Sequence, residues 1–276
     1  MNKSKSWKRW VVLVLATAVI WGAYYAFDNP GATQLQLRKH FGIPTMTGAN
    51  STSAQNATVA DFNIKYNLLY SVYSLPNTVL PLVGGALVDR IGFRRMTVYT
   101  AALAMVGQAL FAVGTGQRLW WLMWVGRGVF GIGTESMAVA QRILVAEWFF
   151  GTELAFSMGL VLSFGRLAST VNDNISALFW DPTIAYYIGL ALCAVSVVCA
   201  MVVTHMDAQH ELQAKAIVSK RAWQAFEKSR SSKPPTSLAA CGQLTRPFWV
   251  YAVMSVVLFP PVSSFNAVGT QELKQR

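Results

Sequence analysis

The sequence predicts an all-α membrane protein, with six transmembrane helices in a bundle and then a lone seventh helix. Three observations carry this expectation. Hydrophobic residues make up 54% of the 276 and charged residues only 13%, with a mean hydropathy of +0.38, whereas soluble domains carry about 25% charged residues. Seven runs reach or approach the roughly 20 apolar residues that cross a bilayer core. Lysine and arginine segregate to alternate connections between those runs. The composition excludes disorder and coiled coil. Three cysteines build no disulfide framework, and Cys193 and Cys199 stand in an apolar run as small hydrophobes.

The first run, 10–27, follows Lys3, Lys5, Lys8 and Arg9. Its apolar core exceeds the roughly 7–15 residues of a signal peptide, and Asp28-Asn29-Pro30 follows in place of a small-residue cleavage site. It reads as a retained span. The second, 66–88, contains Pro76 and Pro81, kinks that membrane helices tolerate. The third is 96–117. The fourth, 119–141, is broken only by Arg127 and Glu135, and the fifth, 154–177, only by Arg166 and Asp173. The sixth is 183–204 and the seventh 247–268. All are expected as helices, because an open strand cannot satisfy its backbone in lipid.

The resulting organisation has a cytosolic N-terminus (1–9), a six-helix bundle (10–206), a cytosolic linker (207–246), the seventh span and a tail (269–276). Residues 28–65, rich in Thr, Ser, Asn, Gly and Gln, are expected as a mobile loop with little apolar periodicity. Part of the linker, 205–226, is amphipathic. With the N-terminus in the cytosol, segments 1–9, 89–95, 140–153 and 207–246 hold four, three, one and seven Lys/Arg, fifteen of the 23. That obeys the positive-inside rule. The formal charge of +11 therefore reports topology, with the lipid bilayer as the surrounding partner, and implies no nucleic acid. Acceptor sequons at Asn50 and Asn56 in the outside loop agree with this orientation. No cofactor is expected. His40, His205 and His210 have no metal-ligand companions, no Gly-rich phosphate loop is visible, and an enzyme reading finds no residues to carry it.

Two motifs carry the functional meaning. Between the second and third spans stands Gly85-Ala86-Leu87-Val88-Asp89-Arg90-Ile91-Gly92-Phe93-Arg94-Arg95, which reads G-x-L-x-D-R-x-G-x-R-R. In the fourth span, Arg127, Gly131 and Gly133 read R-x-x-x-G-x-G, with glycines spaced for close helix contact. With these the chain resembles the major facilitator superfamily. Longer stretches resemble that superfamily's lysosomal dipeptide transporters. They are Tyr25 to Ala32, Leu69 to Asn77, Phe130 to Gln141 and Arg166 to Asn172.

The resemblance implies a twelve-helix, two-bundle fold, dipeptide export by alternating access and a glycosylated accessory protein as partner. It also makes the Asp89–Arg95 loop a conformational latch, with Gly92 permitting a tight turn. A lysosomal membrane is implied, although no acidic dileucine signal is visible in 1–9 or 207–246 and a plasma-membrane location stays open. Spans one to six supply one half of such a fold, so the chain reads as a truncated transporter. The alternatives are a non-transporting half that assembles with or regulates a full-length partner, or a carrier of another small organic anion.

Charges inside spans are rare and costly, and mark function by default. The fourth span centres near Phe130, which puts Glu135 about 7 Å toward the cytosol and Arg127 about 4 Å toward the outside. Glu135 and Arg166 admit two readings. One is a structural ion pair between spans four and five. The other is a zwitterion clamp, with Arg166 taking the carboxylate of a dipeptide and Glu135 its ammonium. Ser136 and Asn172, in the matching stretches, join the candidate set. Tyr66, Tyr70 and Tyr73 form a stripe that Asn77 continues, serving as packing or as cavity lining. Arg127 reads as structural, and Asp173 has no assigned role.

Overall fold

The computed structural model describes residues 3–44, 53–77, 80–217, 250 and 254. Among them the secondary structure is helical, with no strand: α1 Lys3–Ala32, α2 Gln34–His40, α3 Ser53–Asn77, α4 Leu80–Ile91, α5 Phe93–Gly116, α6 Trp120–Trp148, α7 Thr152–Ser176 and α8 Pro182–Ile217. Five helices are long and apolar enough to cross a membrane: Trp7–Ala32, Phe93–Gly116, Trp120–Trp148, Thr152–Ser176 and Pro182–Leu212. The expected seventh span lies outside the described residues, apart from Val250 and Met254.

Two expectations need correction. The region 28–65 is largely helical where it is described, not a loop. It holds the end of α1, all of α2 and the first half of α3. Apolar residues spaced along its polar sequence explain this. Leu37, Val59 and Phe62 are buried, and Phe62 packs with Tyr66, Leu69 and Phe111. The expected second span, 66–88, is helical over 66–77 in α3 and 80–88 in α4, and residues 78 and 79 lie outside the described set. The sixth helix does not end at 204. α8 runs 36 residues to Ile217, because Asp207, one turn past the apolar run, is buried against Arg94 and Trp148.

α1 is the central element and packs against α6, α7 and α8, while α5 packs along both α6 and α8. One cluster joins α1 to α6, α7 and α8 through Leu13, Ala16, Ile20, Leu144, Val161 and Val203. The closest pair is α5 and α6, whose seam is built from glycines at a seven-residue spacing on both helices: Gly107 and Gly114, Gly126 and Gly133. A methyl group on Gly133 would lie 2.5 Å from the Ala104 amide nitrogen, and one on Gly126 would lie 2.6 Å from that of Phe111. The backbones therefore touch, as small residues allow between membrane helices. Gly131 faces a different neighbour, where an added methyl would meet the Tyr73 carbonyl oxygen at 2.9 Å. The two signature glycines thus serve two interfaces, α3 and α5.

Candidate functional site

Pro30 sits inside α1. Proline has no N–H, so the Ala26 carbonyl loses its helical donor. Arg127 supplies the replacement from α6. Its Nη2 donates to Ala26 O and its Nη1 to Phe27 O, each at 3.2 Å. The Tyr66 hydroxyl donates to Pro30 O at 3.1 Å. Arg127 is 2% exposed, and its guanidinium carbon lies 4.3 Å from the centroid of Phe111 and 5.5 Å from that of Phe130. Aromatic faces and carbonyl dipoles are what a buried guanidinium needs in place of water.

Below this joint, the Tyr73 hydroxyl on α3 donates to Glu135 Oε1 on α6 at 3.1 Å and lies 3.2 Å from Thr134 Oγ1. Glu135 is half-buried and Tyr73 is buried. The Tyr73 ring lies 4.7 Å from Phe27, and the half-buried Tyr70 meets Phe27 edge-on at 6.3 Å. The tyrosine stripe is thus mixed: Tyr66 and Tyr73 face inward, and Tyr70 borders them. Asn77 and Gly85 are described only as helical residues of α3 and α4.

Arg166 is exposed on α7. Only 22% of the apolar window of α7 is buried, the smallest share among the five spans, so this helix leaves its charge open. The Arg166 guanidinium carbon lies 5.7 Å over the Tyr24 ring. One helical turn beyond Tyr24, the half-buried Asp28 stands in the fields of both Arg166 and Arg127. No ion pair joins Glu135 to Arg166 among the described residues.

Two candidates are placed elsewhere. Asn172 is fully buried and its Oδ1 accepts from Ser176 Oγ at 2.7 Å. Ser176 also reaches Asn29 Oδ1 at 3.3 Å and the Tyr25 hydroxyl at 3.2 Å. Asn172 therefore belongs to a polar lock between α7 and α1. Ser136 is 4% exposed. Asp28 was missed as a candidate. Its only sequence signal was a carboxylate at the end of an apolar run, which looked like the start of a loop.

At the opposite end of α5, Gly92 separates α4 from α5 with φ +86, a conformation that favours glycine. Asp89 and Arg90 are exposed on the last turn of α4, and Arg95 on the first turn of α5. Arg94 turns to α8, where it pairs with Asp207 and, at 2.6 Å, with Glu211. Trp148 Nε1–H donates to Asp207 Oδ1 at 2.7 Å. The signature loop is thus fastened within its own bundle, by acids that the sequence reading left unassigned. Asn56 is exposed on α3, and Asn50 lies outside the described residues.

A sequence profile described as Major Facilitator Superfamily matches residues 14–270. The chain is 36% identical over 217 residues to the lysosomal dipeptide transporter MFSD1 of Bos taurus, a match covering 74% of this chain and 42% of that protein. It is 31% identical over 275 residues to the Homo sapiens protein of that name, covering 95% and 53%. The Danio rerio protein is 36% identical over 217 residues, covering 74% and 43%. The chain spans about half the length of the curated relatives it matches.

Proposed function

Because the chain belongs to the Major Facilitator Superfamily, we propose that its bundle forms one half of a transporter that carries dipeptide-class zwitterions by alternating access. The observation that carries the reading is a pair of opposite charges on neighbouring spans. Glu135 on α6 is steadied by Tyr73, and Arg166 on α7 is left open beside Tyr24. A dipeptide brings an ammonium and a carboxylate one molecule's length apart. Arg166 takes the carboxylate through two parallel N–H donors, and Glu135 takes the ammonium. Both contacts strengthen where water is scarce. Asp28 adds a carboxylate field near Arg166 that competes with the incoming carboxylate.

The relatives are named lysosomal. We place this protein in the same membrane, with a cytosolic N-terminus that follows from the Lys/Arg bias. A glycosylated accessory protein is part of the same reading. The test is uptake of a labelled dipeptide by vesicles from cells expressing this bundle within a complete two-bundle transporter. Arg166→Ala is expected to abolish uptake and leave folding intact, because the position is exposed. Competition by dipeptides, but not by sugars or monocarboxylates, is expected for the wild type. Normal uptake by Arg166→Ala would sink the clamp.

A further inference from the structure

The seam between α5 and α8 opens into two grooves of different character. One lies at the Gly92 end, has a volume of about 370 Å³, and is lined by Arg94, Arg95, Tyr99 and His205 over Val98 and Met201. No carboxylate lines it. The other, about 440 Å³, is apolar and lies between Met105, Val106 and Ala109 of α5 and Leu190, Ala191 and Ala194 of α8. From Arg95 to Val106 is about 16 Å along the helix axis. The basic groove therefore sits at the end of the seam and the apolar one deeper along it.

Charge placement separates the two arginines. Arg94 is committed to Asp207 and Glu211. Arg95 is exposed, and no ion pair holds it among the described residues. The Gln209 amide sits 2.9 Å from His205 Nε2, and His205 lines the groove. Tyr99 is 63% exposed, as tyrosines are at the headgroup level of a bilayer. The Lys/Arg bias puts this end at the cytosolic leaflet, which carries the anionic lipids.

We propose that the α5–α8 seam is a binding site for one anionic glycerophospholipid. Its phosphate sits on Arg95 and His205 beside Tyr99, and an acyl chain follows the seam into the apolar groove. Arginine pairs with phosphate through two donors at once, and basic pockets between membrane helices take anionic head groups. The site lies on α5 and α8 and shares no residue with the clamp, although Arg95 also belongs to the signature loop.

The test is native mass spectrometry of the full chain released from vesicles of mixed phosphatidylglycerol and phosphatidylcholine. The wild type is expected to retain phosphatidylglycerol in preference. Arg95→Gln is expected to lower that preference about fivefold. Arg118→Asn, at the far end of α5, is expected to keep it. Ala194→Phe, which fills the apolar groove, is expected to release the lipid with Arg95 in place. Equal retention of the two lipids by the wild type overturns the proposal, and so does unchanged retention in Arg95→Gln or in Ala194→Phe. Displacement of the lipid by inorganic phosphate alone would assign the groove to a free anion and overturn it as well.

Discussion

Arg127 substitutes for a hydrogen-bond donor that Pro30 lacks, and this can be measured. Replacing Arg127 with Met keeps an unbranched side chain of similar reach and removes both donors to α1. The Ala26 carbonyl is then buried without a partner, because the residue four positions on is proline. An orphaned buried acceptor costs about 1–3 kcal/mol. For a chain of this size that is a fall in melting temperature of roughly 3 °C per kcal/mol.

Removing the guanidinium also removes its own burial cost, so the single variant reports a sum of opposing effects. A double-mutant cycle separates them. Pro30→Ala restores an N–H aimed at Ala26 O, so Arg127→Met is expected to cost about 1–2 kcal/mol less in the Pro30→Ala background. Thermal unfolding of the four purified proteins in one detergent supplies the cycle. An equal cost of Arg127→Met in both backgrounds would refute the reasoning. Arg127 would then be held by its aromatic neighbours and not by the proline.

Asp28→Asn is expected to lower the KM for a dipeptide severalfold, since Asp28 competes with substrate for Arg166. A raised KM would make Asp28 a ligand of the ammonium instead. Gly133→Ala forces a methyl to 2.5 Å from the Ala104 amide nitrogen, and overpacking of this kind costs about 1–3 kcal/mol. Loss of thermal stability in Gly133→Ala, with little change in an exposed Gly159→Ala control, checks it. The pH dependence centres on Asp181, which precedes Pro182 and accepts from the Thr183 amide at 2.9 Å, 3.7 Å from His40 Nδ1. Burial alone raises this carboxyl, but the Thr183 amide and His40 outweigh it and hold it below its ordinary 3.8. Its contribution is therefore full above pH 3.8 and is lost as pH falls through the lowered value. The stability gap between wild type and Asp181→Asn is expected to close only in that acid range. A gap that stays constant to pH 2 would remove this carboxylate from the account.

The long spans were legible because an apolar run of about 20 residues admits one solution in lipid. Their ends were not. The apolar run stops at Thr204, but α8 continues past Asp207, which finds Arg94 and Trp148, partners separated from it by 113 and 59 residues. The stripe on α3 was half legible. Tyr66 and Tyr73 stood out as aromatics, while the register that buries Val59, Phe62, Tyr66, Leu69 and Tyr73 together passed unnoticed among polar neighbours. In the candidate site, Glu135, Arg166 and Tyr73 were proposed from chemistry and resemblance, and the structure puts Tyr73 against Glu135. Asn172 needed the tertiary structure, since nothing local says whether an amide lines a cavity or locks two helices. Asp28 was hidden because Pro30, two residues on, reads as a helix end, whereas α1 runs on to Ala32 with Arg127 on the Ala26 and Phe27 carbonyls.

The glycine seam between α5 and α6 has a mechanical consequence. Where main chain lies against main chain there are no rotamers to exchange, and a small push cannot find an intermediate arrangement. The two helices are bound to move as one stiff plate. The α1–α7 contact combines apolar side chains such as Val161 with hydroxyls, amides and aromatic rings, Tyr25 with Ser176 and Tyr24 with Arg166, and side chains of this kind can shift in small steps. If this bundle rocks, the give is in that contact, and it falls on the helix that carries Arg166.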